Sequence, residues 1–128
     1  MSRMAWSAPE AVLPLHDYEL SKVDLDEGVS LQFRGPKGDR CELVLSGVRE
    51  FLGSNFTLPQ NVVFRVEVSD LKAVEPKDVE AAFVRMGGNR FNGLANGLPE
   101  SGYLVSLDES VGFQMLAIVS DYSFERID

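Results

Sequence analysis

Residues 61–68, Asn61-Val62-Val63-Phe64-Arg65-Val66-Glu67-Val68, leave the chain little choice of local structure. Valine and phenylalanine fill the stretch, and such side chains lose rotamer freedom in a helix but pack well on a pleated surface. On a two-residue period Val62, Phe64, Val66 and Val68 share one face, and Arg65 and Glu67 fall on the other. One oily and one partly charged face predict an antiparallel sheet wetted on one side.

The same alternation recurs along the chain. Residues 1–15 carry Pro9 and Pro14 and no sustained period, so they read as an irregular lead-in, with Trp6 and Leu13 available to tuck against a sheet. Residues 16–20 lead into the alternating Val23-Asp24-Leu25, and Val29, Leu31 and Phe33 resume the pattern after Asp26-Glu27-Gly28. That spacing predicts a hairpin, with Gly28 supplying a positive φ in its loop. Residues 34–40 hold Gly35, Pro36 and Gly38 and predict a second turn, followed by a strand over 41–45. Val48, Phe51 and Leu52 fit either a short helix or a bent continuation of that strand. Tyr103 to Leu107 predicts a strand, Asp108-Glu109-Ser110 a turn, and residues 111–120 the returning strand. Residues 115–119 are apolar on both faces, as a strand covered on both sides would be. Tyr122, Phe124 and Ile127 suit a last edge strand.

One helix is predicted. Pro76 suits a first helical turn, where its missing N–H costs nothing. Val79, Ala82, Phe83 and Met86 repeat at helical spacing, and Gly87-Gly88 supplies a stop signal. The narrow apolar stripe should lie on one face of the sheet. Residues 89–102, rich in Gly and Asn, read as a long loop, which in a small domain is a candidate binding surface, with Arg90 and Phe91 at its tip.

A chain of 128 residues suits one domain, residues 1–128, and 45% hydrophobic with 25% charged residues is a globular balance. The expected fold class is α+β: an antiparallel sheet of about six strands, a meander plus a C-terminal hairpin, with one helix packed on it. The net charge of −8 disfavours nucleic acid, whose phosphates attract clustered Lys and Arg, but suits a basic protein partner as well as simple solubility. The single cysteine, Cys41, excludes an internal disulfide and alternates with Leu43 and Leu45 as a small core residue would. The N-terminus lacks a signal-like apolar run, and the longest apolar run, residues 115–119, is far too short to span a membrane. A cytoplasmic protein is the expectation.

No residue set points to catalysis. His16 adjoins Asp17, but adjacency supplies neither the oriented base nor the nucleophile of a triad. Asp24-Leu25-Asp26 begins a calcium-loop pattern and then abandons it, so no metal or cofactor is expected. Gly87-Gly88-Asn89-Arg90 follows a helix, whereas phosphate loops precede one. Residues 25–33 echo residues 107–115, with Leu, Asp, Glu, Val and Gln repeated, which predicts two hairpins of similar turn chemistry rather than a duplication.

Residues 15–20 (Leu-His-Asp-Tyr-Glu-Leu), the hairpin pattern after them, and residues 41–48 (Cys-Glu-Leu-Val-Leu-Ser-Gly-Val) resemble small bacterial families of uncharacterised β-rich proteins and immunity proteins of toxin systems. The resemblance covers the first half of the chain. It implies a non-enzymatic protein that blocks a toxin by binding it. The expected function is accordingly non-catalytic protein binding, in which Asp24, Asp26, Glu27, Asp108 and Glu109 steer a basic partner and Arg90 and Phe91 shape specificity. The alternative is a homodimeric or small-ligand scaffold using the wet face of the sheet.

Overall fold

The computed structural model describes residues 9–26, 28–54, 62–86 and 98–127. Among them lie nine strands and one α-helix: β1 (Ala11–Leu13), β2 (Glu19–Asp24), β3 (Val29–Arg34), β4 (Arg40–Ser46), β5 (Glu50–Ser54), β6 (Val62–Asp70), α1 (Pro76–Arg85), β7 (Tyr103–Val111), β8 (Gln114–Val119) and β9 (Asp121–Arg126). The α+β class and the antiparallel pairing are as expected. The strand number is not: nine strands replace the six read from the sequence, because residues 11–13 form a strand inside the supposed lead-in and two long strands are broken by bends.

Pairing runs in the order β5-β8-β7-β6-β2-β3-β4-β9, with β1 also on β6. This departs from a meander with an appended hairpin. β5 continues β4 after a bend at Gly47, and β9 continues β8 after a bend at Ser120. The two ladders β4–β9 and β5–β8 are therefore halves of one bent antiparallel pair, whose register slips by one residue across the bend. Ser120 N–H donates to the carbonyls of Ser46 at 3.0 Å and Gly47 at 3.1 Å, and Arg49 N–H donates to that of Ile118 at 2.7 Å. A second seam joins β2 to β6, where Asp17 N–H reaches the Val63 carbonyl at 3.0 Å and Val63 N–H the Tyr18 carbonyl at 2.8 Å. Asp17 takes a positive φ of 66° to do so, a conformation that aspartate tolerates better than most residues. With both seams made, the sheet closes on itself as a barrel.

The barrel interior is one apolar cluster to which every strand except β5 and β9 contributes a buried residue, including Leu13, Leu20, Leu31, Phe33, Cys41, Leu43, Leu45, Val66, Val68, Val105, Leu107, Met115, Ala117 and Val119, with Phe51, Tyr122 and Phe124 packed half-buried against it. A second cluster lies outside the wall, where Val79, Ala82 and Phe83 of α1 cover Leu104, Leu116 and Ile118. Burying each of these larger side chains contributes about 2 kcal/mol. β8 is thus covered on both faces, as its unbroken apolar run implies. Pro76 opens the helix and Met86 closes it, with Met86 N–H bonded back to Ala82 and Phe83.

Two local expectations fail for physical reasons. Along β6 the register shifts between Val62 and Val63 and again between Val63 and Arg65, so Val63, not Val62, joins Val66 and Val68 in the core. Glu67, expected on a wet face, is only 2% exposed. The second failure is the supposed turn at Asp108-Glu109-Ser110, which is strand: β7 runs on to Val111, and the reversal comes at Gly112 with φ 98°. In the echoing segment Gly28, at φ 139°, reverses the chain two positions earlier in the aligned string, since it aligns with Ser110. The two copies turn where each has its glycine, not where they share acids.

The bend at Gly47 generates a stability prediction. Gly47 has φ 61°, and a Cβ there would overlap the Ser120 side chain, whereas Gly38, at φ 86°, has no atom within 4 Å of the same position. Gly47→Ala should cost about 3 kcal/mol and Gly38→Ala about 1 kcal/mol, read as shifts in urea midpoint at constant slope. Equal costs would show that closure at the bend is not sterically demanding.

Candidate functional site

Helix α1 shields the β7–β8 side of the barrel and leaves the outer face of β2, β3, β4 and β9 to solvent. Inward positions on these strands are Leu31, Phe33, Cys41, Leu43 and Leu45, so alternation sends Ser30, Gln32, Glu42 and Val44 outward. Ser30 Oγ donates to the Glu42 carboxylate at 2.9 Å and Gln32 Nε2 at 3.4 Å, which fixes Glu42 on this face. Register places Asp24 beside Ser30, Glu125 beside Glu42, and Asp121 beside Ser46.

At the end of this face where β2 turns into β3, a groove of about 420 Å³ is lined by Asp24, Asp26, Ser30, Val44 and Ser46, with backbone from Gly28 and Gly47. Asp24 Oδ1 accepts from Asp26 N–H at 3.0 Å, an Asx turn that sets both carboxylates on the rim. Lys22 Nζ lies 4.0 Å from Asp24, a loose, exposed pair of little energetic weight. Asp121 flanks the groove across Ser46.

The opposite end of the barrel has the other charge sign. Here a cleft of about 630 Å³ collects His16 and Tyr18 from the β1–β2 connection, Lys37 and Asp39 from the β3–β4 turn, and Arg126 from the end of β9. The Tyr18 hydroxyl donates to the Asp39 carboxylate, and that bond, with burial adding to it, raises the tyrosine's pKa above its ordinary value. His16 Nδ1 sits 3.3 Å from the Asp17 carboxylate, and its side chain is 64% exposed. Arg34 pairs across from Arg40 at the same end of the barrel, with Glu19 on the other side of Arg34.

The expected steering acids therefore divide. Asp24 and Asp26 meet at one groove, as the sequence suggested. Asp108 does not join them: it is 5% exposed on β7, opposite Arg65 of β6, and is not a solvated turn acid. Glu109 lies in the same strand opposite Val63, its side chain outside the described residues, and Glu27, Arg90 and Phe91 are also outside them. Sequence reasoning missed the polar strip on the outside of β6 and β7. There Glu67, Ser69, Ser106 and Asp108 are all buried, and Arg65 Nε donates to Glu67 Oε1 at 2.7 Å. Among the described residues Ser69 Oγ has no hydrogen-bond partner. A Ser or Glu in an otherwise apolar strand is the signal that could have marked this strip, but solvent exposure gives the same pattern.

Fold and site together define a small antiparallel barrel with one helical cover, an acidic end and a cationic end. Among the described residues no three His, Cys, Asp or Glu side chains gather as a metal ion would need, and no helix is long and apolar enough to cross a membrane. Comparison with protein families, curated proteins and solved structures finds no match to this chain.

The three tyrosines of the chain report on this charge layout. Tyr103 is raised chiefly by the Glu10 carboxylate and then by burial, and Tyr122 chiefly by burial and then by Glu10; the two rings pack edge to face at 5.0 Å. A proton held more tightly in the folded than in the unfolded state stabilises the fold below the unfolded pKa, so stability should fall as pH rises beyond about 10. Ultraviolet titration should find every tyrosine ionising above the free phenol, and Asp39→Asn should return one of them, Tyr18, toward it. A Tyr18 indifferent to Asp39→Asn would contradict the assigned bond.

Proposed function

We propose that this protein is a non-catalytic binding domain that receives a basic protein surface on its acidic barrel end, with inhibition of a toxin as the most concrete form. The observation that supports the reading best is the gathering of Asp24, Asp26 and Asp121 about one open groove whose lining, among the described residues, contains no Lys, Arg or His. Around it the outer face of β2, β3, β4 and β9 offers hydroxyls, an amide and the half-buried Val44, a mixture of polar rim and modest apolar contact that suits a protein interface. The overall charge of −8 extends the same field outward and would speed encounter with a cation-rich partner. A reducing cytoplasmic setting fits a buried lone thiol at Cys41.

Asp108 is left out of this reading because a buried charge cannot steer, so Asp24 and Asp26 carry it with Asp121. The test is kinetic. With the partner captured from native lysate, Asp24→Asn with Asp26→Asn should lower the association rate about five-fold at low ionic strength and flatten its salt dependence. The dissociation rate should change less. An association rate and salt slope equal to those of the wild type would remove the acidic end as the docking surface.

A further inference from the structure

The cleft at the cationic end is a separate feature that protein binding at the acidic end leaves unused. Lys37 and Arg126 supply two permanent positive charges; the carboxylates described here are those of Asp39 in the cleft and of Asp17, 3.3 Å from His16 Nδ1. The Asp39 carboxylate is engaged by the Tyr18 hydroxyl. The cleft's volume of about 630 Å³ lies in the range of small-molecule sites. The Tyr18 ring and Pro36 add apolar wall beside the charges.

We propose that this cleft binds a small organic anion, a phosphate or carboxylate group carried on an apolar or aromatic body. Lys37 and Arg126 hold the anionic oxygens, Arg126 with the planar fork suited to two of them. Tyr18, held in place by Asp39, presents its ring to the body of the ligand. Gly35 makes this arrangement possible, since a Cβ there would overlap both the Asp39 carboxylate and the Tyr18 ring.

Phenyl phosphate, benzoate and neutral benzyl alcohol, titrated into the isotopically labelled full chain and followed by amide chemical shifts, test the proposal and distinguish phosphate from carboxylate. The expected result is saturable shifts at residues 16–18, 36–39 and 126 with one or both anions and none with the alcohol. Lys37→Ala and Arg126→Ala should each weaken binding about five-fold, and Asp39→Asn should strengthen it by a similar factor through loss of a like charge. Asp24→Asn, at the other end of the barrel, should leave it unchanged. Shifts scattered over the surface, an equal response to benzyl alcohol, or affinities indifferent to Lys37 and Asp39 in variants whose amide spectra remain folded would overturn the proposal. The protein-docking reading does not depend on this outcome, because its groove and its variants lie at the opposite end.

Discussion

Closure of the sheet is the constraint on which the rest of the structure depends. An open antiparallel sheet of this length would expose two edges of unpaired backbone groups, each a template for unwanted pairing. Here β4 and β8 bend at Gly47 and Ser120, so that β5, the continuation of β4, pairs with β8, and β9, the continuation of β8, pairs with β4, which brings the ends of the sheet together. The interior can then be filled by single side chains from nearly every strand, with Leu31, Phe33, Leu43, Val66, Leu107 and Met115 converging in one cluster. Without the bend these residues would line one flat face, and a single ten-residue helix could not cover it.

The same closure produces the functional asymmetry. Once the barrel core satisfies the inner face, the helix is needed only where the outer face is also apolar, at Leu104, Leu116 and Ile118. The remaining wall is free to be polar. Strand ends then sort the charges: the β2–β3 loop and the β9 start bring aspartates together, while the β3–β4 turn and the β9 end bring Lys37 and Arg126 together. Neither cluster is local in sequence. Each exists because the ladder closes and places residues near 20, 40 and 120 side by side.

Much of the fold was legible because burial on one face writes an alternating pattern: Val29-Leu31-Phe33 and Cys41-Leu43-Leu45 gave β3 and β4, and residues 115–119 gave the doubly covered β8. The helix was legible from its 3.6-residue stripe and Pro76. β6 misled because irregular register after Val62 breaks the strict alternation that the pattern assumes. β1 was hidden by its length of three residues between two prolines. The bend after β4 was half legible, as one of two readings of Val48, Phe51 and Leu52, but its pairing with the bend at Ser120 was not, since which strands pair across seventy residues is decided by the assembled core and not by any local signal. The site followed the same division. Asp24 and Asp26 are neighbours in sequence and were found; the cationic cleft draws on three distant segments and was not.

Native-state hydrogen exchange at the two seams tests the closed barrel most directly. The amides of Ser120, Arg49, Asp17 and Val63 form the closing bonds and belong to no uninterrupted ladder. If the sheet is closed, they exchange only through openings approaching global unfolding, with protection close to that of Leu43 and Leu107 in the core. Exchange at Ser120 and Arg49 as fast as at the exposed turn amide of Gly38 would mean an open sheet with two loose edges, and would contradict the account.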